Sequence, residues 1–176
     1  DLDEAGIHIG STKKALDLYA MGDMEGGTAM RMIAAGEGIL DDDENGMSSP
    51  LEGKDAATRK RLEARMDEEL AATNRGGLDK WRRTQLDGDE YNVSSDRSQF
   101  GKVSDVHAMM QAADTTLGFG KDVNKMKELC ADKSPQGMED FAAAFKAAGH
   151  GDLKEFMLSK ATSVGDKRDF AILLEG

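Results

Sequence analysis

A single cysteine, Cys130, stands in a chain of 176 residues, so neither an internal disulfide nor a multi-cysteine zinc site can form. That suits the cytoplasm, and equally a secreted protein without disulfides. There are three histidines; His8 and His107 have no plausible metal partner nearby in sequence, and His150 between Gly149 and Gly151 reads as part of a turn. No apolar run approaches the ~20 residues that a membrane span requires. The chain opens without a signal-peptide pattern. Phosphate loops of the G-x-x-x-x-G-K-S/T form, G-x-S-x-G elbows and H-E-x-x-H zinc sites are all missing. Positive charge is outnumbered, 23 basic against 34 acidic side chains for a net −11, which discourages nonspecific binding to nucleic acid or anionic membranes. Two prolines and few β-branched residues argue against strand; abundant Ala, Met, Leu, Glu and Lys argue for helix. The chain starts at Asp1 and stops just after the apolar turn Phe170–Leu174, which reads as a domain cut from something longer.

What is present is a recurring punctuation. Gly22-Asp23, Gly151-Asp152 and Gly165-Asp166, and more loosely Gly53-Lys54-Asp55 and Gly120-Lys121-Asp122, fall where one apolar-periodic run ends and the next begins. Glycine fits the left-handed position that closes a helix, and aspartate fits the N-cap that opens one. The expected fold is therefore all-α, with seven to eight short helices.

Helices are expected from Ser11 or Thr12 to Met21, from Asp23 to about Leu40, from Asp55 to about Arg75, and around Leu78–Leu86. Residues 41–54 read as an acidic loop, and 87–103 show no periodicity. Ser104 opens a helix whose face runs Val106, Met109, Met110, Ala113, Leu117. Further helices start at Asp122, at Ser134-Pro135, at Asp152 and at Asp166. Their inner faces carry Met138, Phe141, Phe145, Phe156, Met157, Phe170, Leu173 and Leu174, with Phe119 between two of them. The expected organisation is a polar N-terminal helical region over 1–103 and a compact C-terminal bundle over 104–176 holding the main core, or one continuous domain.

Charge is unevenly spread. Residues 59–83 hold eight bases and five acids within an otherwise acidic chain. Arg59, Arg61, Arg65, Trp81, Arg82 and Arg83 are the candidate interaction residues, suited to another protein with an acidic surface. The interleaved acids and the net charge oppose nucleic acid. A second candidate surface is a methionine-rich face of Met24, Met30, Met32, Met109 and Met110.

Residues Asp41 to Glu52 resemble an EF-hand calcium loop. Asp41, Asp43 and Asn45 fall at its positions one, three and five, Gly46 at six and Glu52 at twelve. Ser48 stands where such loops carry a pairing hydrophobe, Gly53 follows where an apolar residue belongs, and no second loop is present. Cys130, His150 and Asp152 are the residue types of a thiol hydrolase. However, Cys130 sits in the last turn of its helix, where the dipole disfavours thiolate.

The sequence thus points to a non-enzymatic helical module for protein–protein interaction or regulation, such as an adaptor, a secreted effector domain or a structural component, with no cofactor. The alternatives are a calcium-responsive module built on Asp41, Asp43, Asn45 and Glu52, and an enzyme whose site is dispersed along the chain.

Overall fold

A computed structural model describes residues 2–37, 43–113 and 122–175. Among these residues all regular structure is helical, without strands. It forms eleven α-helices plus a 3-10 turn at Ser49–Leu51, so the expected count of seven to eight is too low. The chain divides into two compact units, residues 1–103 and 104–176. Leu40, Leu117, Phe119 and Gly120 lie outside the described residues.

The N-terminal unit holds α1 (Leu2–Ala20), α2 (Met24–Ala35), α3 (Glu44–Ser48), α4 (Ala56–Ala72), α5 (Leu78–Gln85) and α6 (Gly88–Phe100). Glycine–aspartate chemistry closes and opens elements here. Gly22 adopts φ 85°, and Asp23 caps α2 by accepting from Gly26 N at 2.8 Å. Gly53 adopts φ 69°, and Asp55 caps α4 through Thr58 N at 2.9 Å. Helix α1 starts well before Ser11, which is a buried mid-helix residue.

Two helices lie where none was expected, α3 in the acidic loop and α6 in the stretch without periodicity. Asp43 caps α3 inside the acidic stretch by accepting from Gly46 N at 2.7 Å. Helix α6 opens with a capping box of Asp87 and Glu90 and closes on Gly101 in the left-handed conformation. Its buried residues are Val93, Ser94, Asp96 and Arg97, a mostly polar inner face that apolar periodicity cannot reveal.

This unit was expected to be looser and more polar than the C-terminal one. Met32, Ile33, Met47, Leu51, Leu62, Met66, Leu70 and Trp81 form an apolar core of its own. Helix α2 lies between α1, α3 and α4. Its glycines admit close approach: a Cβ on Gly27 would stand 2.5 Å from the Tyr19 ring.

The C-terminal unit holds α7 (Asp105–Ala113), α8 (Val123–Ala131), α9 (Pro135–Ala147), α10 (Leu153–Lys160) and α11 (Val164–Glu175). Asp122, Ser134 and Asp152 cap α8, α9 and α10. Gly165-Asp166 is not a boundary. Helix α11 starts one residue before Gly165, and Ser163 is its cap: Ser163 Oγ accepts from Asp166 N at 3.0 Å and donates to Asp166 Oδ2 at 2.8 Å. An aspartate three residues into a helix answers the cap, and in sequence it imitates one. The core contains Met109, Met126, Phe141, Phe145, Leu153, Met157 and Phe170, with Phe156 and Leu173 partly buried against it. The Phe145 ring lies 4.9 Å from Phe156 and edge-on to Phe141 at 6.4 Å.

Lys127 of α8 ties down the start of α11. Its Nζ donates to Asp166 Oδ1 and Asp169 Oδ2, both at 2.8 Å. The Lys127 ammonium, then the Ser163 and Thr162 hydroxyls, hold the Asp166 carboxyl far below the usual carboxylate range. A depressed folded pKa contributes stability that is fully present above the unfolded aspartate value of ~3.9 and is lost as pH falls through the folded one. The protection of α11 amides against hydrogen exchange, taken relative to the intrinsic rate at each pH, should therefore fall on acidification from about pH 5 to 2. Asp166→Asn should flatten that dependence; an identical acid profile in the variant would remove the carboxylate from this role.

Candidate functional site

Three of the six residues in the predicted interaction surface are interior. The Arg59 guanidinium spans three backbone carbonyls. Its Nε donates to Ser98 O at 2.9 Å, Nη2 to Gln99 O at 2.8 Å, and Nη1 to Lys54 O. It thus caps the C-terminal end of α6, whose last carbonyls have no intrahelical partner. Gly101 lies directly against it, and Gly53 N donates to Gly101 O at 2.8 Å. Trp81 is a core residue beside the end of α2, where a Cβ on Gly36 would stand 2.8 Å from the indole. Arg82 is buried with Nη2 2.9 Å from Glu63 Oε1, which also accepts from Ser98 Oγ at 2.5 Å. Each of these three residues is at most 8% exposed.

The other three arginines are at the surface, each engaged by the chain's own acids. Arg83 Nε meets Asp79 at 3.0 Å, Nη2 donates to the Tyr91 hydroxyl at 2.8 Å, and that hydroxyl donates to Asp79 Oδ1 at 2.6 Å. The Tyr91 hydroxyl first, then Arg83, hold the Asp79 carboxyl below its ordinary value. Arg61 and Arg65 line an open cleft of about 420 Å³ with Asp23, Glu25, Gly26, Ala64 and Glu68. Arg61 pairs with Glu25 at 2.9 Å, and Arg65 with Glu68 at 3.2 Å, Glu69 at 3.4 Å and Asp23 at 3.5 Å. With three carboxylates against two guanidinium groups on its walls, the cleft presents no field that would select an anion.

The two arginines differ in one respect that a mutation can read. Arg61 and Glu25 are both half-exposed, and such a pair is worth less than ~1 kcal/mol. Glu69 is nearly buried, and Arg65 shares it with Lys14. Arg61→Glu should leave the melting temperature almost unchanged, whereas Arg65→Glu should lower it by several degrees, because it sets a like charge against a desolvated carboxylate. Equal effects in a thermal melt would contradict this assignment.

The acid-rich segment is helical over Glu44–Ser48 and continues as the 3-10 turn Ser49–Leu51. Asp41 lies outside the described residues. Asp43 is engaged as the cap of α3. Asn45 Oδ1 accepts from Nη1 and Nη2 of Arg97, each at 3.2 Å, and Ser48 Oγ accepts from Nη1 at 3.0 Å. Glu52 lies 3.4 Å from Arg97 Nε. A guanidinium from α6 thus sits among Asn45, Ser48 and Glu52. Among the described residues no group of three or more His, Cys, Asp or Glu is arranged to hold a metal ion.

Cys130, His150 and Asp152 do not assemble a reactive centre. The Cys130 thiol is buried, with Sγ 3.8 Å from Met157 Sδ. Burial pushes it up to about 11, so it is not a thiolate at neutral pH. The His150 ring stacks at a tilt on Phe145 with centroids 5.0 Å apart, and Asp152 is the cap of α10. The methionine-rich face is not a surface either. Met30, Met32 and Met109 are buried, Met110 is partly buried, and Met24 alone of the five is exposed. Methionine fills cores here.

The feature missed from sequence is a groove in the C-terminal unit. Helix α9 supplies Pro135, Met138, Glu139 and Ala142; α10 supplies Leu153 and Lys154, with Asp152 at its cap; α11 supplies Leu173 and Leu174. Its volume is about 260 Å³, and most of its wall is apolar. Helix α10 packs on both α9 and α11, and buried Leu153 forms the floor. Met138, Ala142, Leu173 and Leu174 have the helical spacing of core residues, and no sequence signal separates a groove wall from a core.

Compared with protein-family models and with curated proteins, the chain finds no match. Among the described residues no helix is long and apolar enough to cross a membrane.

Proposed function

We propose that this chain is a protein–protein interaction module with no reaction of its own, and that the α9–α10–α11 groove is its docking face. The observation that carries the reading is the groove itself: an apolar trough between helices, with Glu139 at its rim. At about 260 Å³ it is smaller than the ~300–1,000 Å³ of typical small-molecule pockets. Apolar troughs between helices accept the apolar face of an amphipathic helix. The basic segment supports the same choice by elimination, since its surface arginines already pair with carboxylates of this chain. The partner is thus a protein presenting an apolar helix face, and its acidity is secondary.

Selection from a displayed library of helical peptides tests the reading. Peptides with apolar residues at i, i+3 or i+4, and i+7 should enrich, and Ala142→Glu should abolish their binding. No enrichment, or binding that survives Ala142→Glu, would overturn it.

A further inference from the structure

We infer that the groove's occupant is α11 of a second copy of this chain, so that the protein self-associates head to tail. The inference rests on the groove being a helix-docking face. Among the described residues of the C-terminal unit, the exposed large apolar side chains are Val164 and Ile172, at 86% and 63% exposure. Both lie on α11, eight residues apart, with exposed Arg168 midway. Positions i, i+4 and i+8 form one ridge along a helix. The ridge is apolar at both ends and basic in the middle.

The groove complements that pattern. Its walls are Met138, Ala142, Leu173 and Leu174, and its charged groups are Glu139, Asp152 and Lys154. Two carboxylates against one ammonium leave these groups a net charge of −1. Arg168 and its exposed neighbour Lys167 make no ion pair among the described residues. Asp166 and Asp169, the acids of the same helix segment, are taken by Lys127. Ala142 is small enough for another helix to come close.

A copy cannot satisfy itself. Phe170 is buried, and Leu173 and Leu174 turn inward to the groove side of α11, while Val164, Arg168 and Ile172 face away from it. Ridge and groove therefore lie on opposite sides of one helix and must meet between molecules. Such a contact joins unlike surfaces, and it propagates into rings or open chains.

Sedimentation velocity of the full chain, from micromolar to near-millimolar concentration, tests this. The average mass of the parent should rise past that of a dimer, and less so at high salt. Ile172→Glu, which spoils only the ridge, and Ala142→Glu, which spoils only the groove, should each weaken association at least about tenfold. Mixed in equal amounts, the two variants should form a one-to-one pair and stop there, because one retains a groove and the other a ridge. If circular dichroism shows Ala142→Glu misfolded, Glu139→Lys replaces it, with Arg168→Glu as its ridge partner, and their mixture should recover the contact. A parent that stays monomeric throughout, or a mixture that fails to pair, would overturn self-association. Peptide binding in the groove by a monomeric parent would leave the docking reading intact and remove this one alone.

Discussion

Arg59→Ala should destabilise the N-terminal unit by about 2–4 kcal/mol, a large effect for a residue on a charged helix. The side chain is 8% exposed, and its fork donates to Lys54, Ser98 and Gln99 carbonyls at once. Removing it strands acceptors at the end of α6 and also loses the packing of the aliphatic stem. Arg59→Met keeps the stem and loses the donors, so it should recover only the packing share. Arg59→Lys should fall between, since one ammonium cannot reproduce a planar fork. Trp81 is the chain's single tryptophan and lies in the core of this unit, so its fluorescence in urea reads the unit directly. A midpoint equal to the parent's in Arg59→Ala would show that water replaces the guanidinium without cost.

In the C-terminal unit the corresponding result is Phe145→Ala, expected to cost about 3–5 kcal/mol. Phe145 is fully buried, and its ring meets Phe141, Phe156 and His150. Truncation removes the transfer energy of the ring and leaves a cavity that α9 and α10 cannot close without shifting. Phe156→Ala should cost less, because that ring is only partly buried. Circular dichroism through a urea titration should order the variants parent, Phe156→Ala, Phe145→Ala. A Phe145→Ala chain as stable as the parent would mean that the core is assembled on other residues.

These two sites mark where the sequence was readable and where it was not. Capping is local, so Asp23, Asp55, Ser134 and Asp152 declare helix starts through bonds made three residues away. Phe145 was legible because its helix buries one apolar stripe. Arg59 was not: two of its three carbonyl partners lie 39 and 40 residues further on, in a helix whose buried residues are Val93, Ser94, Asp96 and Arg97. A run of arginines looks the same in sequence whether it faces water, a partner or the chain's own carbonyls. The calcium-like spacing of Asn45 and Glu52 has the same ambiguity, because oxygen donors arranged for a cation also suit the guanidinium of Arg97. The groove was invisible for the opposite reason, since its walls obey the same periodicity as the core.

The buried thiol gives the molecule a built-in clock. Cys130 is shielded by Met157 and protonated at neutral pH, so a soluble alkylating reagent can reach it only when the C-terminal unit opens. At low reagent the modification rate then equals the chemical rate multiplied by the fraction of time spent open, and at saturating reagent it equals the opening rate itself. An event rarer than any spectroscopic signal could register thereby becomes a covalent count, kept separately from whatever Trp81 reports in the other unit.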